Sequence, residues 1–423
     1  MSTRDHPAVP QAAAVSTRTD FLAALRDDAA RIIAVEATLT SVASFSLPPG
    51  KSIEGRGEDV RIRFAAGEDG VVLTRDNGIT NLRLETDRAR AAILNDTSVS
   101  SLGTLRLRDV TTVGRVRILA RDAVRGGHVD VDGLDVIDAD ARPETERPHR
   151  FGVSVLQGAF TLWNMQRDQE VQITGTLLRL SAGRDGAPVS GSGIFVGGAG
   201  DAGGWVTVDR LETGAVYSNG GIAPGTPDQI SGGVFVVHAC RAKTVRNRGP
   251  VTTYGPNDMV LDNWGSVERW IANAPVTSFG PSGIGFVNFG ALMDLRVDAP
   301  IETFGTGARG FNVYDGTLES GEFSRIVTHG DGAVGIQISK PIGHLLVRNG
   351  IETFGGVGES LVKGVVMSLP AAALSIKPGG YAQSIEVTGG LTTNRVGIPP
   401  IEMQGGVSSL RVSDIATGAG DPK

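Results

Sequence analysis

Short alternating runs of apolar and polar residues fill most of the chain, and in its second half they recur at a constant interval. A β-branched residue, a hydroxyl residue, a ring and a glycine return together every 25 residues. The ring positions are Tyr254, Phe279, Phe304, His329 and Phe354, and the β-branched positions are Val251, Val276, Ile301, Ile326 and Ile351. A fixed period of this length is typical of repeat proteins whose units stack on one another.

The pattern inside each repeat predicts strands and not helices. Runs such as GVFVV (233–237) and GIGFVNF (283–289) alternate over a few residues and end at Gly, Asn, Asp or Pro. Glycine, at 59 of 423 residues, supplies the backbone conformations that tight corners require. We therefore predict an all-β chain that forms a single-stranded parallel β-helix, with regular coils of about 25 residues over 231–355.

The N-terminal region contains one segment with helical periodicity. TDFLAALRDDAARIIAV (19–35) predicts an amphipathic helix with Thr19 or Asp20 as its N-cap, and SFSLPPGKSIEGRGEDVRIRF (44–64) follows it with a Pro-Gly turn and strand-like runs. This order resembles the entry of right-handed parallel β-helix proteins of the pectate-lyase-like superfamily. The resemblance implies a right-handed coil whose open end is plugged by the helix, because an unpaired sheet edge invites pairing with other chains.

Domain limits follow from where the repeat pattern begins and fails. We predict one elongated domain over 19–415, with flexible tails at 1–18 and 416–423. Insertions at 138–150, 181–193 and 219–233 interrupt the first half, and about 15 further residues separate the repeat at 351–355 from its resumption near residue 391. Insertions in a stacked repeat project as loops, and such loops often carry binding functions.

Composition narrows the classes of partner. A net charge of −6 with scattered Lys and Arg argues against nucleic acid and anionic membrane as ligands. The single Cys240 excludes an intrachain disulfide, and no apolar run approaches the length of a membrane span. The start of the chain lacks a hydrophobic signal core, so the expected compartment is the cytoplasm. We expect no cofactor and no metal.

Residues 25 apart should lie above one another, which predicts columns on the coil surface. The alternation places Asn263 and Asn288 inside as a stacked amide pair, and Trp264, Phe289 and Tyr314 outside as an aromatic ladder. Asp262, Asn312 and Gln337 flank this ladder and are candidates for binding sugar hydroxyls, with Asp262 also a candidate catalytic acid. Three roles for the ladder remain open, namely stacking on a sugar, an interface in a homotrimer, or packing beneath another part of the same chain.

A second column places Glu302 and Glu352 two repeats apart, with Val327 between them. The strand spacing puts these carboxylates roughly 9.6 Å apart, near the separation of the two acids in inverting glycosidases. They are therefore candidates for a catalytic pair, although two solvated carboxylates on such a face are also ordinary. The segment THGDG (328–332) lacks the Gly-His-Gly and paired Asp residues of polygalacturonase-like members of the superfamily, so the resemblance brings no catalytic motif.

Two functions agree with these observations. The first is recognition of an oligo- or polysaccharide by a β-helix that acts as a lyase, hydrolase or glycosyl transferase, or that binds without catalysis. The second is a non-catalytic structural or adhesin-like β-helix that forms oligomers through its aromatic face. The corners GTGARG and GDGAVG resemble turns in bacterial adhesins and autotransporter passengers, which favours the second function.

Overall fold

The chain is nearly all β, with long parallel sheets and one short helix. The structure, a computed structural model, describes residues 12–201 and 203–418. Residues 1–11 and 419–423, which belong to the two predicted tails, lie outside the described residues. In the described part, no helix is long and apolar enough to cross a membrane.

The N-terminal segment differs from the prediction in two ways. The helix spans Arg18–Arg26 only, with Thr17 as its N-cap, and the remainder of the predicted helix forms the strand Ile32–Val35. Part of the predicted tail forms another strand, Ala12–Val15, which pairs with Ile32–Val35 in parallel. The β-branched run Ile32, Ile33 and Val35 gains backbone partners on both sides, and this outweighs its helical apolar spacing.

The helix packs against the first strands. Phe21 is fully buried, and its ring contacts that of Phe45 edge to face at 5.1 Å. The ammonium of Lys51 donates to the backbone carbonyls of Ala24 and Asp27 at the end of the helix. These contacts satisfy carbonyls that the helix leaves unpaired, and they hold the helix against the core.

Most strands belong to two parallel sheets of 25 and 15 strands, and two further strands form a separate hairpin. The N-terminal strands of the first sheet are Ala12–Val15, Ile32–Val35, Leu39–Val42, Ser52–Gly55, Arg61–Phe64, Gly78–Glu85, Thr104–Val113, Gly126–Asp138, Gln172–Ala182, Val189–Ser190 and Trp205–Asn219. Beyond residue 219 this sheet divides into two columns. The long-strand column comprises Cys240–Asn247, Ser266–Ala272, Ala291–Val297, Thr317–Phe323, Pro341–Val347, Tyr381–Val387 and Gly406–Val412. The short-strand column comprises Val251–Thr253, Val276–Ser278, Ile301–Thr303, Ile326–Thr328, Ile351–Thr353, Leu391–Thr393 and Ile415–Thr417.

The second sheet supplies the remaining face of each coil. Its strands are Phe45–Leu47, Val71–Leu73, Ala91–Asn95, Arg115–Ala120, His149–Arg150, Val153–Val155, Gly158–Asn164, Ser192–Gly197, Gln229–Val236, Asp258–Asn263, Ile284–Asn288, Arg309–Val313, Val334–Ile338, Leu374–Ile376 and Ile401–Met403. One strand from each of the three columns makes one coil, and each strand pairs with its counterpart in the next coil. This arrangement is consistent with a parallel β-solenoid.

The predicted 25-residue register is confirmed for the short strands. Val251 pairs with Val276, and the same step continues through Ile301 and Ile326 to Ile351. The long strands depart from it once, because Leu292 pairs with Leu318 and Gly321 pairs with Leu345. One extra residue in the first step is thus compensated by one fewer in the next. Gly316, in a left-handed conformation (φ 70°), lies in the corner that takes up the extra residue.

The interior of the coils is a continuous apolar core. Phe286 and Phe311 pack against each other within it with their rings tilted by 50°, and both are fully buried. The predicted amide pair is confirmed, since the Asn263 amide donates to the Asn288 side-chain oxygen at 2.8 Å and both residues are fully buried. The Asn263 oxygen accepts from the Gly265 N–H and the Asn288 nitrogen donates to the Thr317 carbonyl, so both amides are hydrogen bonded at a corner of the coil.

Two segments leave the coils and fold over the outer side of the second sheet. Residues 149–155 belong to the region of the first predicted insertion, and Val357–Val362 with Val365–Pro370 forms an antiparallel hairpin. The coil resumes after the hairpin, because Leu374 pairs with Ile336 and Leu391 pairs with Ile351. Residues 149–155 and the hairpin are called the cover below.

Candidate functional site

The predicted aromatic ladder lies on the outer side of the second sheet, but it is not open. Trp264 and Tyr314 are only 4% and 6% exposed, because the cover lies over them. The ring of Phe151 stacks on Phe289 at 4.7 Å and meets Trp264 edge to face at 5.2 Å. Of the three roles that the sequence left open, the structure therefore shows packing beneath the same chain. An open groove along this ladder, one of the roles left open, does not agree with this burial, and the alternation of residues does not show where an insertion packs.

Asp262 lies in this covered layer without a hydrogen-bond partner. It is fully buried, and neither carboxylate oxygen is hydrogen bonded within the described residues. Phe235 and Val287 occupy the positions beside it on the adjacent strands. Burial raises the pKa of Asp262 well above its usual range, and the nearby Trp264 indole N–H opposes this only in part. Asp262 is therefore a buried acid with a raised pKa, and a sugar does not reach it beneath the cover.

The predicted hydroxyl-binding residues Asn312 and Gln337 lie in the same column as Asp262 and are also buried. Gln337 accepts a hydrogen bond from the Arg309 guanidinium at 3.1 Å. The Asn312 amide has no partner among the described residues for either its nitrogen or its oxygen. The structure thus brings most of the predicted site residues together, but in a closed layer.

Glu302 and Glu352 lie elsewhere, on the outer side of the short strands. They are two strands apart with Val327 between them, as the register predicted. Glu302 lies 2.8 Å from His329 Nε2, whereas Glu352 pairs with Arg325 at 2.5 Å and accepts from Asn394. Each carboxylate therefore has its own partner, and neither shares a face of the coil with Asp262. Their role as a catalytic pair stays a prediction.

The ring column beside Glu302 forms a continuous stack. Successive centroids from Tyr254 to Phe354 are 5.4, 4.9, 4.5 and 5.1 Å apart, and the interplanar angles are 13° or less. Phe279, Phe304 and Phe354 are 45%, 39% and 38% exposed. The ring faces cover one another, so solvent meets mainly ring edges. A sugar stacks on ring faces, and this column offers it few.

A furrow lies on the outer side of the long strands, and the sequence analysis did not identify it. Depressions of about 530 and 240 Å³ share Lys243 and Glu268, and a third of about 660 Å³ begins at Glu319, which neighbours Met293 on the next strand. The furrow extends over nine neighbouring strands, from Gly126–Asp138 to Tyr381–Val387, which corresponds to roughly 40 Å at the strand spacing. The residues along its middle are Lys243, Glu268, Met293, Glu319, Gly343 and Gln383. We call this feature the axial furrow.

One end of the axial furrow has an aromatic side chain laid against the sheet. Tyr381 is 39% exposed, and its ring lies over Gly406 on the next strand. A side chain at Gly406 would meet the ring, since a Cβ there would approach Tyr381 Cδ2 to 3.2 Å. His344, Glu319 and Gln383 line the same depression. Glycine at position 406 thus leaves room for the ring beside a set of hydrogen-bonding groups.

The other end of the axial furrow is polar and carries charges of both signs. His128, Thr174 and Thr207 line it together with Arg241 and Asp209. The Arg241 guanidinium lies 3.8 Å from the ring centroid of Trp205, where it makes a cation–π contact. The furrow therefore offers donors and acceptors along its whole length, without a surplus of one charge.

Two other buried groups have shifted pKa values for structural reasons. Burial raises the pKa of Asp258 to about 6, although it accepts hydrogen bonds from Ser231 and from the backbone N–H groups of Gly220 and Gly255. Burial and the neighbouring Arg150 lower the pKa of His238 to about 4, which Asp201 only partly opposes. Asp258 holds a corner of the coil together, and His238 lies beside Trp264 at the edge of the covered layer.

Neither a search for metal-binding groups among the described residues nor comparison with known proteins assigns a function to the chain. Among residues 12–201 and 203–418, no three His, Cys, Asp or Glu side chains form a group that could hold a metal ion. No protein-family model, no curated protein and no solved structure matches the chain.

Proposed function

We propose that the chain is a right-handed parallel β-helix of pectate-lyase-like architecture that recognises an extended oligo- or polysaccharide along the axial furrow. The observation that carries the proposal is the furrow itself, which follows nine neighbouring strands and is lined by both donors and acceptors, with the ring of Tyr381 at one end. A stacked repeat presents equivalent positions at a constant spacing, and this suits a ligand that is itself a repeating chain.

The chemistry of the lining favours a polyhydroxylated ligand over a charged polymer. The furrow carries Arg241 and Lys243 on one strand, Glu268 and Glu319 along its middle, and His344 in the depression that Glu319 also lines. A polyanion such as nucleic acid is recognised by a surface of one sign, and the net charge of the chain is −6. Sugar hydroxyls both donate and accept, so they use a mixed lining of this kind. The apolar face of a sugar ring would lie on Tyr381.

The proposal is recognition, and it assigns no bond-breaking step. Asp262 is enclosed by the cover, and Glu302 and Glu352 lie on the short-strand face with basic partners of their own. Glu319 lines the same depression as Tyr381, and we propose that its carboxylate accepts hydrogen bonds from sugar hydroxyls there.

A second candidate is the non-catalytic, adhesin-like β-helix that forms a homotrimer. The observation in its favour is the exposed edge of the ring column, where Phe279, Phe304 and Phe354 are each more than a third exposed. The covered ladder of Trp264, Phe289 and Tyr314 does not provide that interface. Light scattering on the parent and on a Phe279→Ser, Phe304→Ser double variant tests it, since a trimer held by this column should dissociate in the variant.

Binding to a panel of neutral and acidic oligosaccharides, measured by calorimetry, tests the first candidate. We expect at least one linear oligosaccharide to bind the parent, Tyr381→Ala to weaken binding tenfold or more, and Glu319→Gln to weaken it less. Phe354→Ala is the matched control, because it removes an exposed aromatic ring from another face. Absence of binding across the panel, or equal losses in Tyr381→Ala and Phe354→Ala, would contradict the proposal.

A further inference from the structure

Three insertions that are far apart in the chain meet at one place on the outer side of the second sheet. Phe151 and Val153 come from the region of the first insertion, Pro227 and Ile230 from the third, and Leu361, Lys363 and Gly364 from the hairpin. Together they form walls of a half-open cavity of about 50 Å³. Insertions in a stacked repeat often gather on its binding face, so their convergence marks this cavity as a candidate site.

The lining of the cavity is mostly apolar. Met259 and Ile284 occupy paired positions on neighbouring strands of the sheet, and both are buried. The rings of Phe289 and Tyr314, whose centroids are 5.3 Å apart, also line it. A lining of this kind offers water few hydrogen bonds, so it favours a hydrocarbon group.

Two polar groups of the lining hold the insertions in place. The Ser282 hydroxyl oxygen accepts from the backbone N–H of Leu361 at 3.0 Å, which fixes the hairpin. The Asn257 amide donates to the Thr226 carbonyl at 3.0 Å, which fixes the third insertion. Both bonds are internal to the chain, so the cavity is formed before any ligand binds, as is usual for small-molecule sites.

Lys363 is the only charged side chain among the described residues that line the cavity. It lies at the tip of the hairpin, with its ammonium 5.4 Å from the centroid of the Tyr314 ring. Within the described part of the chain it forms no ion pair. Because the side chain is exposed, the ammonium lies on the open side of the cavity. A ligand with a hydrocarbon end and a carboxylate end would satisfy both parts of the site.

The volume of the cavity limits the hydrocarbon group. An apolar cavity that binds benzene measures about 150 Å³, so a six-membered ring does not fit inside this one, whereas the end of an unbranched chain does. We propose that the cavity binds the alkyl end of a short-chain fatty acid and that Lys363 binds the carboxylate at the opening. The cavity and the axial furrow lie on different sheets, so this proposal does not depend on the sugar proposal.

Calorimetric titration of the full chain with butyrate, hexanoate and octanoate, at constant ionic strength, tests the proposal. We expect affinity to rise about fourfold for each methylene that the cavity buries, and to level off once the cavity is full. Benzoate should bind more weakly than hexanoate. Val153→Phe fills the cavity and should abolish hexanoate binding. Val366→Phe is the matched control, because it adds the same ring to the exposed side of the hairpin and should leave binding unchanged.

A second variant keeps the proposal testable if Val153→Phe does not fold. Hexanoate should bind the parent at least three times more tightly than hexan-1-ol does, and Lys363→Gln, at an exposed position, should remove this preference. Lys340→Gln, which removes another exposed ammonium, should keep it. A parent that binds none of the acids overturns the proposal. So do equal affinities for butyrate and hexanoate, or hexanoate binding that persists in a folded Val153→Phe protein.

Discussion

The imidazole of His329 lies parallel to the rings of Phe304 and Phe354 and between them, with centroid separations of 4.5 and 5.1 Å. The other members of this ring column are Phe or Tyr, and the Nε2 of His329 lies against Glu302. Aromatic pairs of this kind contribute about 0.5–1.5 kcal/mol each beyond the area they bury.

Replacing His329 should therefore separate stacking from the contact with Glu302. His329→Ala removes two ring contacts, and we expect the free energy of unfolding to fall by about 1–2 kcal/mol, near the lower end for two pairs because the column is partly exposed. His329→Phe keeps the stack and should change it by no more than about 0.5 kcal/mol. Urea denaturation measures both, and equal losses in the two variants would show that the pairing with Glu302 matters more than the stack.

Asp262 is expected to destabilise the fold. Replacing it by Val, the residue that occupies the same position in the next coil, should raise the free energy of unfolding at pH 7 by about 1–3 kcal/mol, because a buried group without a partner is removed. Its folded pKa is raised, so the folded chain binds the proton more tightly than the unfolded chain. The gain from Asp262→Val should thus be larger at pH 8 than at pH 4. Asp294→Val, on the exposed face, is the control and should change stability little.

Asn263, the residue next to Asp262, should respond in the opposite way. Its side chain faces the interior and is hydrogen bonded to Asn288 and to the backbone N–H of Gly265. Asn263→Val should lower the free energy of unfolding by about 2–3 kcal/mol, because the partners of the lost amide stay buried. Asn273→Val removes an exposed amide and should have a small effect. Denaturant unfolding of the two variants checks this, and a neutral Asn263→Val would mean that the amide pair is dispensable.

His238 should make the chain less stable in mild acid. Its folded pKa is about 4, below the 6.5 of a free imidazole, so the unfolded chain binds the proton more readily. The stability that it contributes is present above pH 6.5 and is lost as the pH falls towards 4, a difference of roughly 3 kcal/mol. Unfolding measured at pH 7.5 and pH 4.5 should show a smaller loss for His238→Gln than for the parent. Identical losses in both proteins would assign the acid sensitivity to other groups.

The sequence showed those parts of the fold that depend on neighbouring coils alone. Val251 and Val276 recur because parallel strands place equivalent residues above one another, so the register and the Asn263–Asn288 pair were visible in the spacing. The burial of Trp264 was not visible, because it depends on Phe151, which lies more than 100 positions earlier in the chain. The extent of the first helix was also missed, since the apolar spacing of Ile32, Ile33 and Val35 suits both a helix and a strand.

The axial furrow was missed for a related reason. Its members belong to the long strands, where the step between Leu292 and Leu318 is one residue longer than the repeat. A search for positions 25 apart therefore does not align Met293 with Glu319. Tyr381 follows the hairpin insertion and lies outside the phase of the earlier coils. The grouping of these residues is a property of the paired strands, and the linear spacing does not contain it.

The hairpin Val357–Pro370 enters and leaves the chain at one corner of a coil, and the strands on either side pair as if it were absent. Replacing this segment therefore changes what lies over Arg309 and Tyr314 without changing the strand register that positions them. For protein engineering, the same corner is a natural place to graft a peptide, because the stacked strands beneath it would hold the graft at a known position.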